Sequence, residues 1–303
     1  MRIGVVIGHR GGLGDTISQL VAEYEQARAA DVSSVWITQH LGFDALTLIS
    51  SWGVDGEVEV GTAVIPVQTR HPVVLAEQAL TAQALCGGRL ALGLGLAHAH
   101  NLERLYGLPR RRSVSYLADY LSTLDALMAG EPATPNESFA LSTQLGAAEL
   151  PTPPPVLIAA LGPRMLELAG ERTAGTITWM TGAATIESYV SPTIRAAAAA
   201  AGRPDPRVVV CLPVCVTDDA ASARERLGPA IGSYRDIPSY SAMLDREGVA
   251  DAIDVAIIGN ADQVGAALTG LASRGATDVA AIPLGNPDEV SATWGLISTL
   301  ANA

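Results

Sequence analysis

Residues 60–101, VGTAVIPVQTRHPVVLAEQALTAQALCGGRLALGLGLAHAHN, constrain the fold more than any other stretch of the chain. A β-branched apolar run gives way to a short polar loop, and RHP then opens a helix-patterned segment. GGR turns the chain, and a second apolar run leaves through glycines into polar residues. The order strand, helix, strand is one β/α unit of a parallel sheet. Both strands end in small or polar residues suited to holding a flat ligand.

The same rhythm runs from end to end. Apolar strand-like runs occupy 3–8, 34–38, 58–67, 89–95, 156–160, 175–179, 208–216 and 278–282. Helix-patterned segments occupy 16–30, 44–51, 72–85, 114–129, 163–169, 185–201, 219–248, 261–273 and 288–300. Eight strands alternating with at least as many helices predict an α/β chain folded as a single (β/α)8 TIM barrel. An open doubly wound sheet is disfavoured, because HRGGLGD after the first strand only partly imitates a dinucleotide fingerprint. Asp15 or Thr16 caps the first helix, and Pro72 and Pro163 stand where a first-turn proline is tolerated. Residues 130–155 break the rhythm with six of the 18 prolines and read as a loop insertion within one domain spanning 1–303.

Composition narrows the function classes. Apolar residues make up 49% of 303, enough for a large core, while aromatics are only 4%, which suits an aliphatic parallel sheet. A net charge of −12 argues against nucleic acid, since phosphate neutralisation needs a basic face. No apolar run approaches the roughly 18 residues of a membrane span, and no leader pattern follows Met1, so no membrane partner and a cytoplasmic location are expected. Cys86, Cys211 and Cys215 suggest neither a disulfide framework nor a metal site, and read as buried small hydrophobes.

In a barrel of this class, chemistry belongs at the C-terminal ends of the strands. The segments there hold all five histidines, His9, His40, His71, His98 and His100. Scattered core or surface histidines would not concentrate in this way. Ala159-Ala160-Leu161-Gly162 before a helix starting at Pro163 offers free backbone N–H groups at a positive helix end, a weak signal for phosphate. Gly175–Thr176 and Thr181–Gly182 add possible donors.

The 60–101 stretch also resembles the hallmark segment of the luciferase-like monooxygenase superfamily, with its GT-x-V strand end, RHP helix start, A-E-Q helix, GGR turn and GLG strand. PPVLIAALGPRMLELAGERTAGTI is similar to the family's phosphate-binding strand and helix, and GNADQVGAALTGLASRGATDVAAIPLG resembles its closing unit. Within the superfamily the chain looks closest to the reductases and dehydrogenases that use the deazaflavin coenzyme F420, such as methylenetetrahydromethanopterin reductase.

The resemblance implies roles. His40, after the second strand, matches the histidine facing the reactive ring and is the expected catalytic group. Gln39 stands where an aspartate is expected. His98 replaces an acidic residue beside Asn101, so sugar-phosphate oxidation is not implied. The Ala63–Val64 bond matches a non-prolyl cis peptide that backs the central ring; by spacing alone it is an ordinary strand pair. Gly95, His98, Asn101, Ala159, Ala160, Leu161, Gly162, Gly175, Thr176 and Trp179 complete the expected cofactor contacts. His9, His98 and Trp179 are expected to touch substrate, and Trp36 is either pocket wall or core. Arg110, Arg111 and Arg112 would clamp an anionic coenzyme tail or simply be a solvated helix start.

The leading expectation is hydride transfer between reduced F420 and a C=C or C=N bond of a small-molecule substrate, by a homodimer. The alternatives are an FMN-dependent monooxygenase fed by a separate flavin reductase, and a barrel that binds flavin or deazaflavin without turnover.

Overall fold

In the computed structural model, which describes residues 1–8, 14–39, 41–109 and 113–303, eight parallel strands pair in chain order. They are β1 (Arg2–Ile7), β2 (Ser34–Ile37), β3 (Glu59–Thr62), β4 (Leu90–Gly95), β5 (Val156–Ile158), β6 (Gly175–Trp179), β7 (Arg207–Val216) and β8 (Asp278–Pro283). Strand β8 pairs with β7 (Ala281 opposite Leu212) and with β1 (Ala281 opposite Val5), so the sheet closes on itself. The closed (β/α)8 barrel expected from the alternation is the observed fold.

Strand periodicity explains the two cores. Side chains alternate across a strand, so Val5 and Ile7 face the helices while Val6 faces inward. Val6, Trp36, Ala91, Leu157, Ile177, Val209, Cys211, Ala280 and Ile282 fill the barrel interior. Trp36 is fully buried, and its indole N–H donates to Ser34 Oγ at 2.9 Å. It fits because Gly61 on the adjacent strand carries no side chain: a Cβ there would lie 2.5 Å from the indole. Trp36 is therefore core, not pocket wall.

The helices start where the sequence signals them. Thr16 and Gln19 form a reciprocal capping box on α1 (Ile17–Ala29), and Asp44 caps α2 (Ala45–Ser51). His71 caps α3 (Pro72–Leu85) with proline in the first turn. The helix expected over 114–129 runs from Ser113 to Met128, and that over 163–169 extends from Pro163 to Arg172. The insertion carries a single bridge, Ala133 to Thr143, and is tied to the 113–128 helix by Ser138, whose N and Oγ both donate to Asp119.

Three features depart from expectation. The single strand read over 58–67 is broken. Gly61 pairs opposite Ala91, but pairing resumes with Ile65 opposite Leu94, so one extra residue bulges from this edge at Ala63–Val64. Thr62 bridges the gap: its hydroxyl donates to Gly93 O (2.7 Å) and accepts from Gly93 N (2.9 Å). A helix, Ala99–Tyr106, stands where a loop was expected, and a short strand, Ile257–Gly259, extends the sheet from the end of β7.

The N-terminal end of the barrel is closed by charge. Arg207 of β7 forms ion pairs with Glu59 of β3 (2.8 Å) and Asp278 of β8 (2.7 Å), and Arg2 joins both carboxylates. The three cysteines are buried and free. Burial pushes the Cys211 thiol up to about 12 and the Cys215 thiol up to about 11, so neither is a nucleophile near neutrality. Among the described residues no helix is long and apolar enough to cross a membrane, and no His/Cys/Asp/Glu group could hold a metal ion.

Candidate functional site

At the opposite, C-terminal mouth, three strand ends form a shelf of small residues. The Ala63–Val64 peptide is cis, as the resemblance implies. Both residues are half-buried over the inner core cluster. Gly95 at the end of β4 packs beneath Val64: a Cβ there would meet Val64 Cγ2 at 2.6 Å and Ala159 Cβ at 3.3 Å. Ala159, just beyond β5, donates its N–H to Leu94 O at 2.8 Å. With no side chain larger than valine at these positions, the shelf can lie close against a planar ring.

Two helix N-termini stand beside it, and they differ. Gly162 is the N-cap of the Pro163–Arg172 helix, receives no side-chain cap and has open space around it. Pro163 has no N–H, and Met165 N and Leu166 N donate to Gly162 O, so the Gly162 and Arg164 N–H groups are the ones left to suit phosphate at this positive helix end. The helical segment that starts at Ala183, after β6, is already filled. Glu247 accepts from Ala184 N (3.1 Å) and Thr185 N (2.7 Å). A Cβ on Gly182 would run into that same carboxylate, at 2.2 Å.

The fold therefore corrects part of the expected donor set. Thr181–Gly182 is covered by Glu247, and the Thr181 hydroxyl donates to Trp179 O. Gly175 begins β6 rather than ending it, so it lies at the end of the barrel that Arg207 closes; a Cβ on it would sit 2.1 Å from Arg207 O. Thr176 is fully buried, and its hydroxyl is spent on Ile158 O at 2.9 Å. A glycine at a strand start and one at a strand end look alike in a sequence. Of the β5 exit residues, Ala160 is buried and the Leu161 carbonyl accepts from Tyr189 OH, so Gly162 is left as the open position.

Gln39 is engaged by the scaffold. Its Oε1 accepts from Ala45 N (2.9 Å) and from Arg70 Nη2 (3.0 Å), and Arg70 also pairs with Asp44. His71 is an exposed helix cap whose Nδ1 accepts from Val73 N. Near it, residues including Arg70, His71, Tyr116 and Phe139 line a cleft of about 490 Å³ on the flank of the mouth. His98 is the N-cap residue of the Ala99–Tyr106 helix without capping it by a side chain, and Asn101 sits half-buried in the first turn. Burial holds the His98 imidazole below its ordinary range, so it is neutral at pH 7. His9, His40 and Arg110–Arg112 lie outside the described residues.

Two residues of the mouth escaped the sequence reading. Tyr234 and Tyr240 come from the region between β7 and β8, read only as helical. Tyr234 meets the half-buried Trp179 ring edge-on (5.7 Å), and Tyr240 lies 5.5 Å from the His98 ring. Trp179 Nε1 is buried and lies against the Tyr234 hydroxyl. With the shelf and the open helix end, the Trp179 ring makes a set able to hold a flat ring that carries a phosphate-bearing tail.

The chain is similar to known proteins at three levels. The family model of luciferase-like monooxygenases matches residues 1–278. A Mycobacterium tuberculosis protein named as a coenzyme F420-dependent oxidoreductase is 29% identical over 77% of this chain and 72% of its own length. The 5,10-methylenetetrahydromethanopterin reductase of Methanolobus tindarius is 26% identical over 90% of this chain and 84% of its own. Among solved structures, the coenzyme F420-dependent tetrahydromethanopterin reductase from Methanopyrus kandleri has a TM-score of 0.79 at 18% identity, covering 98% of this chain and 97% of that one. The FMN-bound oxygenating constituent of 3,6-diketocamphane monooxygenase from Pseudomonas putida also reaches 0.79, at 15% identity, covering 99% and 97%. A family match over residues 1–278, most of the chain, shows that the chain belongs to the luciferase-like monooxygenase family.

Proposed function

We propose that this chain is a coenzyme F420-dependent oxidoreductase that moves a hydride between the deazaflavin and a C=C or C=N bond of a small molecule. The observation that carries the reading is the pairing, at one mouth, of a small-residue shelf at Ala63–Val64 with an open helix end at Gly162. The F420-dependent name of the similar Mycobacterium tuberculosis protein supports it. When bound, the deazaflavin supplies the two-electron chemistry, and the protein supplies position and a proton.

In this reading Ala63, Val64 and Gly95 back the ring, and the N–H groups of Gly162 and Arg164 hold the phosphate. Asn101, the neutral His98 and the Trp179 ring line its edge. His40 is the group assigned to the proton, because an imidazole can donate or accept near neutral pH. We further propose a homodimer, because every exposed large apolar side chain among the described residues falls within residues 1–85.

The test is a parallel titration with F420 and FMN, followed by turnover of His40→Ala. The expected result is F420 binding with FMN weaker, and His40→Ala binding F420 normally while turning over roughly 10²-fold or more slowly, the usual contribution of a general acid or base. FMN binding without F420 binding would instead establish the monooxygenase reading that the 3,6-diketocamphane enzyme favours. F420 binding without turnover of any C=C or C=N substrate would establish a non-catalytic carrier.

A further inference from the structure

Four rings stand in a continuous chain on one side of the mouth. Trp179 ends β6 and packs on the inner cluster that also carries Ala63 and Val64. Tyr234 meets Trp179 edge-on at 5.7 Å, Tyr240 meets Tyr234 edge-on at 5.0 Å, and His98 lies 5.5 Å from Tyr240. The chain holds only 13 Phe, Trp and Tyr residues, so gathering three of them here is a concentration.

The wall is fixed rather than loose. Tyr240 lies in the first turn of the Pro238–Glu247 helix. The other end of that helix is tied down by the Glu247 carboxylate on Ala184 N and Thr185 N. Thr185 Oγ1 donates to Met243 O at 3.3 Å, and the Arg246 guanidinium lies 4.0 Å above the Tyr189 ring.

The wall is also electrically neutral. His98 is uncharged at pH 7 through burial, and burial keeps the Tyr240 phenol protonated. Arg235 and Asp245 form an ion pair at 2.7 Å, Asp236 is exposed, and Glu247 is taken up by the backbone of Ala184 and Thr185. The Tyr240 hydroxyl makes no hydrogen bond among the described residues, and it lies near enough to Cys211 on the inner face of β7 to interact with it electrostatically. The hydroxyl is thus placed over the inner face of the barrel with no acceptor among the described residues. The four rings offer an anionic substrate no counter-ion for the hydration it loses, whereas a flat apolar ring would gain aromatic contacts.

We propose that the wall formed by His98, Tyr240, Tyr234 and Trp179 selects an uncharged, planar, conjugated carbonyl compound, with the Tyr240 hydroxyl donating a hydrogen bond to its carbonyl oxygen. The inference deepens the F420-dependent reading and rests on it for the reaction. When bound, the reduced coenzyme would supply a hydride to the β-carbon and be left oxidised. Tyr240 would hold the carbonyl oxygen towards which the displaced C=C pair moves its charge, and His40, the group assigned to the proton, would complete the α-carbon.

The test is calorimetric titration of the full chain, saturated with oxidised F420, with trans-cinnamaldehyde and with trans-cinnamate. The two probes share a skeleton and differ in charge. The chain contains no lysine, so the aldehyde meets no side-chain amine. Cinnamaldehyde is expected to bind at least tenfold tighter than cinnamate. Tyr240→Ala should lower its affinity about tenfold, and Tyr240→Phe about fivefold, the size of one hydrogen bond, with F420 affinity unchanged in both. Equal or tighter binding of cinnamate would overturn the proposal. So would unchanged cinnamaldehyde affinity in Tyr240→Phe, which conserves the ring and should fold. If the chain does not take up F420, the coenzyme reading fails separately, and the same titration on the coenzyme-free chain still decides the wall.

Discussion

Arg207 is the centre of the charge cluster that closes the N-terminal end of the barrel. It joins Glu59 and Asp278 by four hydrogen bonds, and its guanidinium lies 5.8 Å from the Trp36 ring inside the barrel. Its pKa is pushed upward: burial opposes the charge, but hydrogen bonds to the two carboxylates outweigh it, so it stays cationic at any accessible pH. Replacing it with methionine would leave Asp278, only 2% exposed, beside Glu59 with Arg2 alone to offset them. Breaking a buried pair costs about 3–5 kcal/mol, and partial exposure of Arg207 and Glu59 discounts that to about 2–3 kcal/mol. Urea denaturation of Arg207→Met should show a loss of that size with coenzyme affinity retained, and an unchanged midpoint would contradict the account. This network was not legible in the sequence, because its partners are 71 and 148 residues from Arg207 and meet only when the barrel closes. Glu247 was hidden for the same reason, capping a helix start 62 residues away.

At the scale of elements, the strands and most helices were legible because their signals are local. The apolar runs, the Thr16 cap and the prolines at 72 and 163 each act within one turn or one strand. The break in β3 was legible only through resemblance, since a bulge is a relation between two strands and V-I-P reads as ordinary strand. Gly175 and Thr176 were misplaced because composition does not tell the start of a strand from its end. The outer faces of α1 and α3 carry a further consequence. Ile17 and Val21 are one turn apart on α1, Leu41 and Phe43 precede α2, and Val74 and Leu85 lie on α3, all exposed. Consecutive helices with an apolar outer face suit an isologous contact with a second copy. Sedimentation velocity should therefore find a dimer, converted to monomer by Val21→Glu combined with Val74→Glu without loss of helical signal. A wild-type monomer at tens of micromolar would remove the proposal.

Across the whole molecule the two ends of the barrel do opposite work. The N-terminal end is sealed by paired charges, and the C-terminal end presents small residues, neutral rings and the helix start at Gly162. A chain of net charge −12 would repel an anionic coenzyme at long range, so local N–H donors must do the holding. The most direct measurement is F420 affinity, read by its fluorescence, in the wild type and in Gly162→Asp. Gly162 has an extended backbone with open space around it, so aspartate fits there and caps the helix, leaving thermal stability equal or higher. The account predicts that its carboxylate takes the phosphate donors and weakens F420 binding at least tenfold. Undiminished F420 affinity in a folded Gly162→Asp protein would contradict it.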